Sequence, residues 1–388
     1  LVSALGSPAA GIKALGRTGA LLYCLLVAGC SQGADAVGKV SWLEADSLLQ
    51  ATPILHARAS AEAVLEETGR RLTQAKQVWA AGAVDAKDGT VFGRVTDVVA
   101  GSGGRVYVLD GMNAAISLFN TNGQFLTTVL RDGDGPLELR SPTGLALHHD
   151  TLVVHSRSAV RLLWHEPRGD PAWTLVRGFR SSVSIHGLCV ADDGFRLRVA
   201  TPQEVGSVAS TTPSGERLGS FGIAFRGADR YVNATLSAGP MACNVGRDRL
   251  AVAFDDGPII AGYQLRSGVA LWTTKLPDFL PPAYELVPVE GTIGSRKPGS
   301  LVEDRLLRMI TLPPEWLIVQ VLRMAPTETV DGLPRRRGER FRTYLLSANT
   351  GDGIFLSDSL PEILHATGSR LFARDHTSLT PRLVVLSW

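Results

Sequence analysis

The sequence predicts an all-β protein assembled from many short antiparallel strands, and two features lead to this prediction. The 388 residues include 41 glycines and 21 prolines, which supply frequent turns, and short apolar runs alternate with these turns. Between Gly103 and Phe125, the runs RVYVLD and AISLF are apolar at both odd and even positions. Strands on a protein surface alternate, so these strands are expected to be buried on both faces.

One pattern recurs six times along the chain, and it consists of a tight turn between two apolar stretches. The turns centre on Gly104, Asp150, Gly194, Asp248, Glu315 and Gly368. Their spacing of about 45 to 65 residues suits one four-stranded antiparallel sheet per unit. We therefore predict a six-bladed β-propeller, in which each blade is sandwiched between two neighbours.

The first blade can be assigned strand by strand. Its predicted strands are Val95–Ala100, Arg105–Asp110, Ala115–Asn120 and Gln124–Leu130. The dipeptide Asn122-Gly123 predicts the hairpin turn between the last two strands, because both central residues of such a turn need positive φ.

The last unit contains Arg370–Asp375 and Arg382–Trp388 but lacks an outer strand. An open ring would expose sheet edges, which natural proteins avoid. The segment Arg71–Ala80 is therefore predicted to pair with Pro381–Trp388 and complete the last blade. The propeller is accordingly predicted to span residues 71–388.

Residues 1–29 have the features of an export signal. Lys13 and Arg17 precede the short apolar stretch ALLYCLLVA at 20–28. The tetrapeptide Val27-Ala28-Gly29-Cys30 resembles the lipobox of bacterial lipoproteins. The resemblance implies that Cys30 carries lipid and anchors the chain in the cell envelope, and Ser31 at the next position favours the outer membrane. The alternative is an ordinary signal peptide with a cysteine there by chance.

Residues 30–70 are predicted to form a tether from the lipid, with a short helical turn over 61–70. The export signal contains two basic residues and no acidic residue, so positive and negative charges balance in the mature chain. A balanced chain offers no electrostatic reason to expect nucleic acid as a partner. We expect a monomer.

Two further cysteines, Cys189 and Cys243, belong to the mature chain. Export permits a disulfide. The repeat register places both cysteines at the same position of neighbouring units, which argues against a bond between them. The sequence favours two buried free thiols, with a disulfide as the alternative.

The segment from Gly104 to Leu147 resembles an NHL-type repeat, as found in six-bladed propellers of bacterial lipoproteins. The matching features are Asp110, Asn113, Phe119, Gly123, the glycine-rich residues 132–136 and the SPTG stretch at 141–144. The likeness is strong over the first blade and the start of the second, and it weakens afterwards. Such propellers include scaffolds, binding proteins and a few enzymes, so the resemblance does not decide the function.

In propellers of this kind, the innermost strands line a central channel, and ligands bind at the rim where these strands begin. Alignment of the repeats places polar residues at that rim in five blades: Asp97, Thr143, His186, Arg308 and Glu362. At the same position, where the inner strand begins, the fourth blade has Pro240-Met241 and the sixth has Pro361-Glu362. Because blades five, six and one are consecutive, Arg308, Glu362 and Asp97 are expected to be neighbours. The site interpretation is a polar binding cluster; the alternative is a structural ion pair beside a solvated carboxylate.

Blade five carries two long connections, Pro277–Glu303 and Ala325–Glu339, which are expected at the same rim. Loops of this length are usually functional or disordered. The second contains Arg335, Arg336 and Arg337, which could contact an anionic ligand or partner. The alternative is a solvated basic loop.

Catalytic and metal-binding motifs are scarce in the sequence. None of the eight histidines shows the spacing of a zinc site, and His148 and His149, adjacent at a strand end, are expected to point apart. We expect no cofactor, although calcium or zinc held in the channel by ligands from several blades stays open.

These features favour a lipid-anchored envelope propeller that binds a protein or glycan partner at the rim over blade five, without enzymatic activity. The alternative is a propeller hydrolase or lyase with a divalent metal in its channel.

Overall fold

The computed structural model describes residues 39–40, 52–56, 58–82, 90–149, 151–165, 173–199, 206–225, 234, 236–282, 284–289, 292–296, 302–330, 333–336, 340–375 and 380–388. The export signal and the predicted lipid site at Cys30 lie outside these residues.

Six four-stranded antiparallel sheets form a ring, which confirms the predicted six-bladed β-propeller. Before the first blade come β1 (Lys39–Val40), helix α1 (Ala59–Thr73) and β2 (Lys76–Ala81). Blade one contains β3 (Val95–Ala100), β4 (Val106–Asp110), β5 (Ala115–Phe119) and β6 (Phe125–Leu130). Blade two contains β7 (Gly144–His148), β8 (Thr151–His155), β9 (Ala159–His165) and β10 (Trp173–Arg180). Blade three contains β11 (Ile185–Ala191), β12 (Gly194–Val199), β13 (Val208–Thr211) and β14 (Arg217–Phe221).

The second half of the ring is longer than the first. Blade four contains β15 (Met241–Asn244), β16 (Arg249–Ala253), β17 (Ile259–Gln264) and β18 (Ala270–Lys275), and is followed by the hairpin β19 (Tyr284–Val289) and β20 (Thr292–Arg296). Blade five contains β21 (Glu303–Leu312), β22 (Trp316–Met324), β25 (Arg340–Ser347) and β26 (Gly353–Ser357), with the hairpin β23 (Thr327–Val330) and β24 (Leu333–Arg336) inserted. Blade six contains β27 (Glu362–Ala366), β28 (Arg370–Asp375) and β29 (Arg382–Ser387).

The ring is held together by contacts between inner strands. Each inner strand contacts those of both neighbouring blades, in the cyclic order β3, β7, β11, β15, β21, β27 and back to β3. The predicted strands of blade one are confirmed to within a residue at each end. Burial explains their composition, because all five residues of β4 are buried between the neighbouring blades.

Blade six takes its outer strand from the early part of the chain. Strand β2 pairs antiparallel with β29, with Ala80 opposite Val384, in the sheet β2-β29-β28-β27. The helix extends to Thr73, so this strand begins at Lys76 rather than at Arg71. The indole Nε1 of Trp79 donates to the carbonyl of Thr121 at 3.0 Å, which joins blade six to blade one.

The segment before β2 packs along the outside of blades four and five. The backbone of residues 52–56 forms a parallel bridge with the outer strand of blade four, from Ile54 to Lys275. Helix α1 buries Leu65 and Leu72 among apolar residues of blades five and six. The helix is longer than the predicted short turn over 61–70. Residues 52–56 and 58–70 thus belong to the packed structure, although the sequence placed them in a tether.

Blade five is enlarged at the rim where its inner strand begins. Both long connections predicted from the sequence contain hairpins, β19–β20 in the first and β23–β24 in the second. The first hairpin also pairs with β1, through Val40 and Tyr284. Strands β21 and β22 extend towards the same rim, where Glu303 pairs with Met324.

The expectation of free thiols is wrong, because Cys189 and Cys243 form a disulfide with 6.1 Å between their Cα atoms. The shared repeat position brings the two cysteines together. Inner strands β11 and β15 run side by side along the channel wall, so equivalent residues of neighbouring blades become neighbours in space.

Replacing Trp79 by alanine tests the contact between blades six and one. We expect the free energy of unfolding to fall by about 2 kcal/mol, because a half-buried ring and its hydrogen bond are lost. Chemical denaturation of the full chain measures the change. The control is Val78→Ala in the same strand, where the side chain is 52% exposed and the expected loss is below about 0.5 kcal/mol. Equal losses would show that Trp79 does not join the blades.

Removing the disulfide with Cys189→Ala and Cys243→Ala should lower the free energy of unfolding by about 2–4 kcal/mol, because the bond closes a loop between residues 54 positions apart. Denaturation with and without a reductant measures this loss. The reductant should destabilise the wild-type chain and leave the double variant unchanged; an effect of equal size on both would contradict the assignment.

Candidate functional site

The central channel contains a cavity of about 410 Å³ that is lined by residues from all six blades. Of the predicted site residues, Asp97, Thr143, His186 and Arg308 line this cavity. Glu362 is buried behind Arg308. The polar residues of the lining that sequence reasoning missed are His155, Asp255, Thr311 and His365.

Four of the inner strands contain a β-bulge at an equivalent position. The register shifts after Val95, Ile185, Leu306 and Ile363, so that Asp97, Gly187, Arg308 and His365 resume the pairing. A bulge re-aims the side chains beside it, and such bulges often occur near functional sites. The equivalent of Asp97 and Arg308 in blade six is therefore His365, three residues after Glu362. The sequence alignment of that blade, which used Pro361-Glu362, was therefore three residues too early.

Arg308 connects three blades, as expected from their order in the ring. Its Nε donates to Glu362 Oε1 at 2.9 Å, and its Nη2 donates to the carbonyl of Thr96 at 3.0 Å. The other oxygen of Glu362 pairs with Arg374 at 3.2 Å. The carboxylate of Glu362 is thus shared by two guanidinium groups, and the arrangement holds Arg308 at the channel wall.

Besides Asp255, Asp97 supplies a carboxyl group to the cavity lining. Its two oxygens accept hydrogen bonds from the backbone N–H groups of Val98 (2.9 Å) and Leu145 (2.8 Å), and the second bond joins blade one to blade two. Removal from bulk water raises the pKa of Asp97 to about 6, although Arg308 and both N–H groups act in the opposite direction. A carboxyl group with this pKa can exchange a proton near neutral pH.

Thr143 and the histidines form the next part of the wall. The Thr143 hydroxyl lies 3.3 Å from Nδ1 of the buried His155, and burial lowers the pKa of His155 to about 4. Burial, together with Arg157 and Arg198, also lowers the pKa of His186. Both rings are therefore uncharged at neutral pH, and this side of the channel offers neutral hydrogen-bonding groups.

Arg198 supports the wall beneath His186 from a fully buried position. Its guanidinium donates to four backbone carbonyls, those of Ser207, Ser237, Gly239 and Ala253, at 2.7 to 3.2 Å. Burial lowers its pKa to about 10, which leaves it charged at neutral pH. This residue positions blade four against blade three, because three of the four carbonyls lie in or just before blade four.

The basic segment of blade five is only partly described. Arg335 and Arg336 belong to strand β24, and Arg337 lies outside the described residues. The following Arg342 is held by its own blade and by the connection before it. Its guanidinium lies 5.6 Å from the ring centres of Tyr344 and Phe355, and its Nη1 donates to the carbonyl of Asp278 at 3.2 Å.

His148 and His149 do not point apart as expected. His149 adopts a left-handed backbone conformation with φ of 51°, and the two ring centres are 4.3 Å apart. Together with Asp192 they form the one group of three His, Cys or carboxylate residues, within the described part of the chain, whose ligand atoms lie within 4.8 Å of one another.

The chain is similar in fold to solved propeller structures. A member of the duf4221 family from Bacteroides vulgatus aligns with 10% identity and a TM-score of 0.50, over 81% of this chain and 97% of that one. A protein of Bacteroides fragilis described as exported aligns with 10% identity and a TM-score of 0.48, over 80% and 93% of the two chains. At this level of identity, the similarity concerns the fold alone.

No protein-family model matches the sequence, so the NHL resemblance receives no support from that comparison. A search of curated proteins gave no match either. Within the described residues, no helix has the length and apolar character needed to cross a membrane.

The raised pKa of Asp97 predicts that the free energy of unfolding depends on pH. The folded chain holds a proton on Asp97 up to about pH 6, whereas the unfolded chain releases it near pH 4, so stability falls as pH rises through this window. Asp97→Asn should remove this pH-dependent part of the free energy of unfolding. We expect it to be about 2 kcal/mol, less than the full pKa difference implies, because the carboxyl group is partly exposed to the channel. Denaturation of both proteins at pH 4 and pH 7 measures the difference.

The control is Thr311→Val, which changes the channel wall at a hydroxyl bonded to the carbonyl of Cys243 and should leave the pH dependence as in the wild type. A constant stability difference between wild type and Asp97→Asn from pH 4 to pH 7 would contradict the assigned pKa.

Proposed function

We propose that this protein is an envelope-anchored binding propeller whose partner is another protein, held at the rim over blade five. The observation that carries this proposal is that, within the described residues, blade five is enlarged and the other five blades are not. Blade five has extended inner strands, and both hairpins, β19–β20 and β23–β24, arise from connections at its rim. A symmetric scaffold would not need such an addition.

The hairpins favour a protein over a glycan as the partner. In the described part of the chain, β20 is the last strand of its sheet, and β23 and β24 pair only with each other. Edge strands present backbone N–H and C=O groups, which an extended segment of another protein can pair with. A glycan would use these groups less completely, since it has no repeating amide backbone.

Charge favours an acidic segment on the partner. Arg335, Arg336 and Arg337 follow one another at the end of the second hairpin. In this proposal they attract the acidic segment, while Asp97, Thr143, His186 and Arg308 bind the part that reaches the channel mouth. Glu362 has a positioning role, because both of its oxygens are taken by Arg308 and Arg374.

The export-signal features of residues 1–29 and the likeness of Val27-Ala28-Gly29-Cys30 to a lipobox support the cell envelope as the location of this activity. Lipid on Cys30 would anchor the propeller, and acylation with several chains makes attachment effectively permanent. Ser31 supports the outer membrane as the destination.

The alternative of a hydrolase or lyase with a metal in its channel has less support. Among the described residues, the channel lining does not bring three potential ligand side chains within reach of one ion. Stoichiometric metal in the purified protein, lost in Asp97→Asn, would favour that alternative.

Charge reversal tests the proposal. Arg335→Glu with Arg336→Glu should reduce chemical cross-linking of the full chain to its envelope partner about tenfold, because the acidic segment is then repelled. Mass spectrometry of the cross-linked envelope fraction measures the yield. The matched control is Arg177→Glu with Arg180→Glu, two exposed arginines on the outer strand of blade two, which should cross-link as the wild type does.

Equal loss in both double variants would show that net charge, and not the rim, governs binding. Co-sedimentation of the wild-type chain with purified cell-wall glycan, reduced by the same rim substitutions, would make the partner a glycan.

A further inference from the structure

A second candidate site lies at the end of the inner strands opposite to Asp97. His148 is the last residue of β7, His149 follows it in the turn to β8, and Asp192 belongs to the corresponding turn of blade three. The three residues therefore come from equivalent turns of two neighbouring blades. None of them belongs to the channel-mouth cluster or to the rim over blade five.

The geometry of these residues suits a small divalent cation. Nε2 of His148 lies 3.6 Å from Oδ1 of Asp192. Two ligands that bind zinc tetrahedrally at about 2.1 Å are separated by about 3.4 Å, so this pair is close to ligand spacing. His149 brings its ring nitrogen within 4.8 Å of the other two ligand atoms, which a small side-chain rotation can shorten.

The carboxylate of Asp192 is already oriented. Its Oδ2 accepts a hydrogen bond from Nη2 of Arg266 at 3.2 Å, and the backbone N–H of Arg266 is held by Asp248 at 3.0 Å. This leaves Oδ1 directed at the imidazole of His148. Residues that fix one oxygen of a ligating carboxylate are a regular feature of metal sites, because they orient the other oxygen.

The left-handed turn supplies the second imidazole. Adjacent residues at a strand end normally direct their side chains to opposite faces, but φ of 51° at His149 folds its ring back beside that of His148. All three side chains are reachable from solvent, since His148 is 25% and Asp192 57% exposed and His149 is exposed as well. An ion can therefore enter without opening the fold.

We propose that His148, His149 and Asp192 bind one zinc ion, which links the turns of blades two and three. Two imidazoles and one carboxylate form a ligand set that zinc prefers, and the fourth position is open to water. This inference does not depend on the proposed function of the blade-five rim.

Titration of the full, untagged chain with zinc chloride by isothermal calorimetry tests the site. The wild type should bind one zinc ion per chain. His149→Gly, which suits the positive φ, and Asp192→Asn, which keeps the side-chain shape, should each weaken binding at least about tenfold. The control is His56→Ala, which removes an exposed histidine elsewhere and should bind zinc as the wild type does.

Thermal unfolding supplies a second measurement. Zinc should raise the unfolding temperature of the wild type and of His56→Ala, because the ion binds only the folded state, and it should not raise that of the two site variants. Absence of stoichiometric zinc binding, or equal binding by His149→Gly and Asp192→Asn, would overturn the proposal.

Discussion

The structure depends on the mutual burial of neighbouring blades. Among the described residues, the apolar clusters lie between blades rather than within single blades. One cluster joins Val98 and Val108 of blade one to Phe372 and Val385 of blade six, and another joins blade one to blade two. Since hydrophobic stabilisation scales with apolar area removed from water, a ring with one open interface would lose one of these clusters outright.

Polar contacts at the inner wall supplement this packing. Towards the channel the strands converge, and the bonds between blades are made by groups such as Asp97, Arg198 and Arg308. Charges that are removed from water contribute little net stability, because their desolvation offsets their attraction. Their effect is to fix which strand lies beside which, and therefore the shape of the channel mouth.

Every blade of the ring has four strands, but the blades are covered unevenly on the outside. Residues 52–56, helix α1 and strand β2 follow the outer edges of blades four, five and six in turn, so the early part of the chain covers one half of the ring. The two hairpins of blade five lie on that same half.

The sequence by itself determined the number of blades, the strands of blade one, the enlargement of blade five and the proximity of Arg308, Glu362 and Asp97. These features follow from local patterns of turns and apolar runs, and from the cyclic order that six such units impose. Only the tertiary structure decided the Cys189–Cys243 bond, the bulge that puts His365 beside the channel, and the His148–His149 turn. Each of these depends on the register between strands or on the approach of neighbouring blades, and contacts between residues far apart in the chain leave no periodic signal in the sequence.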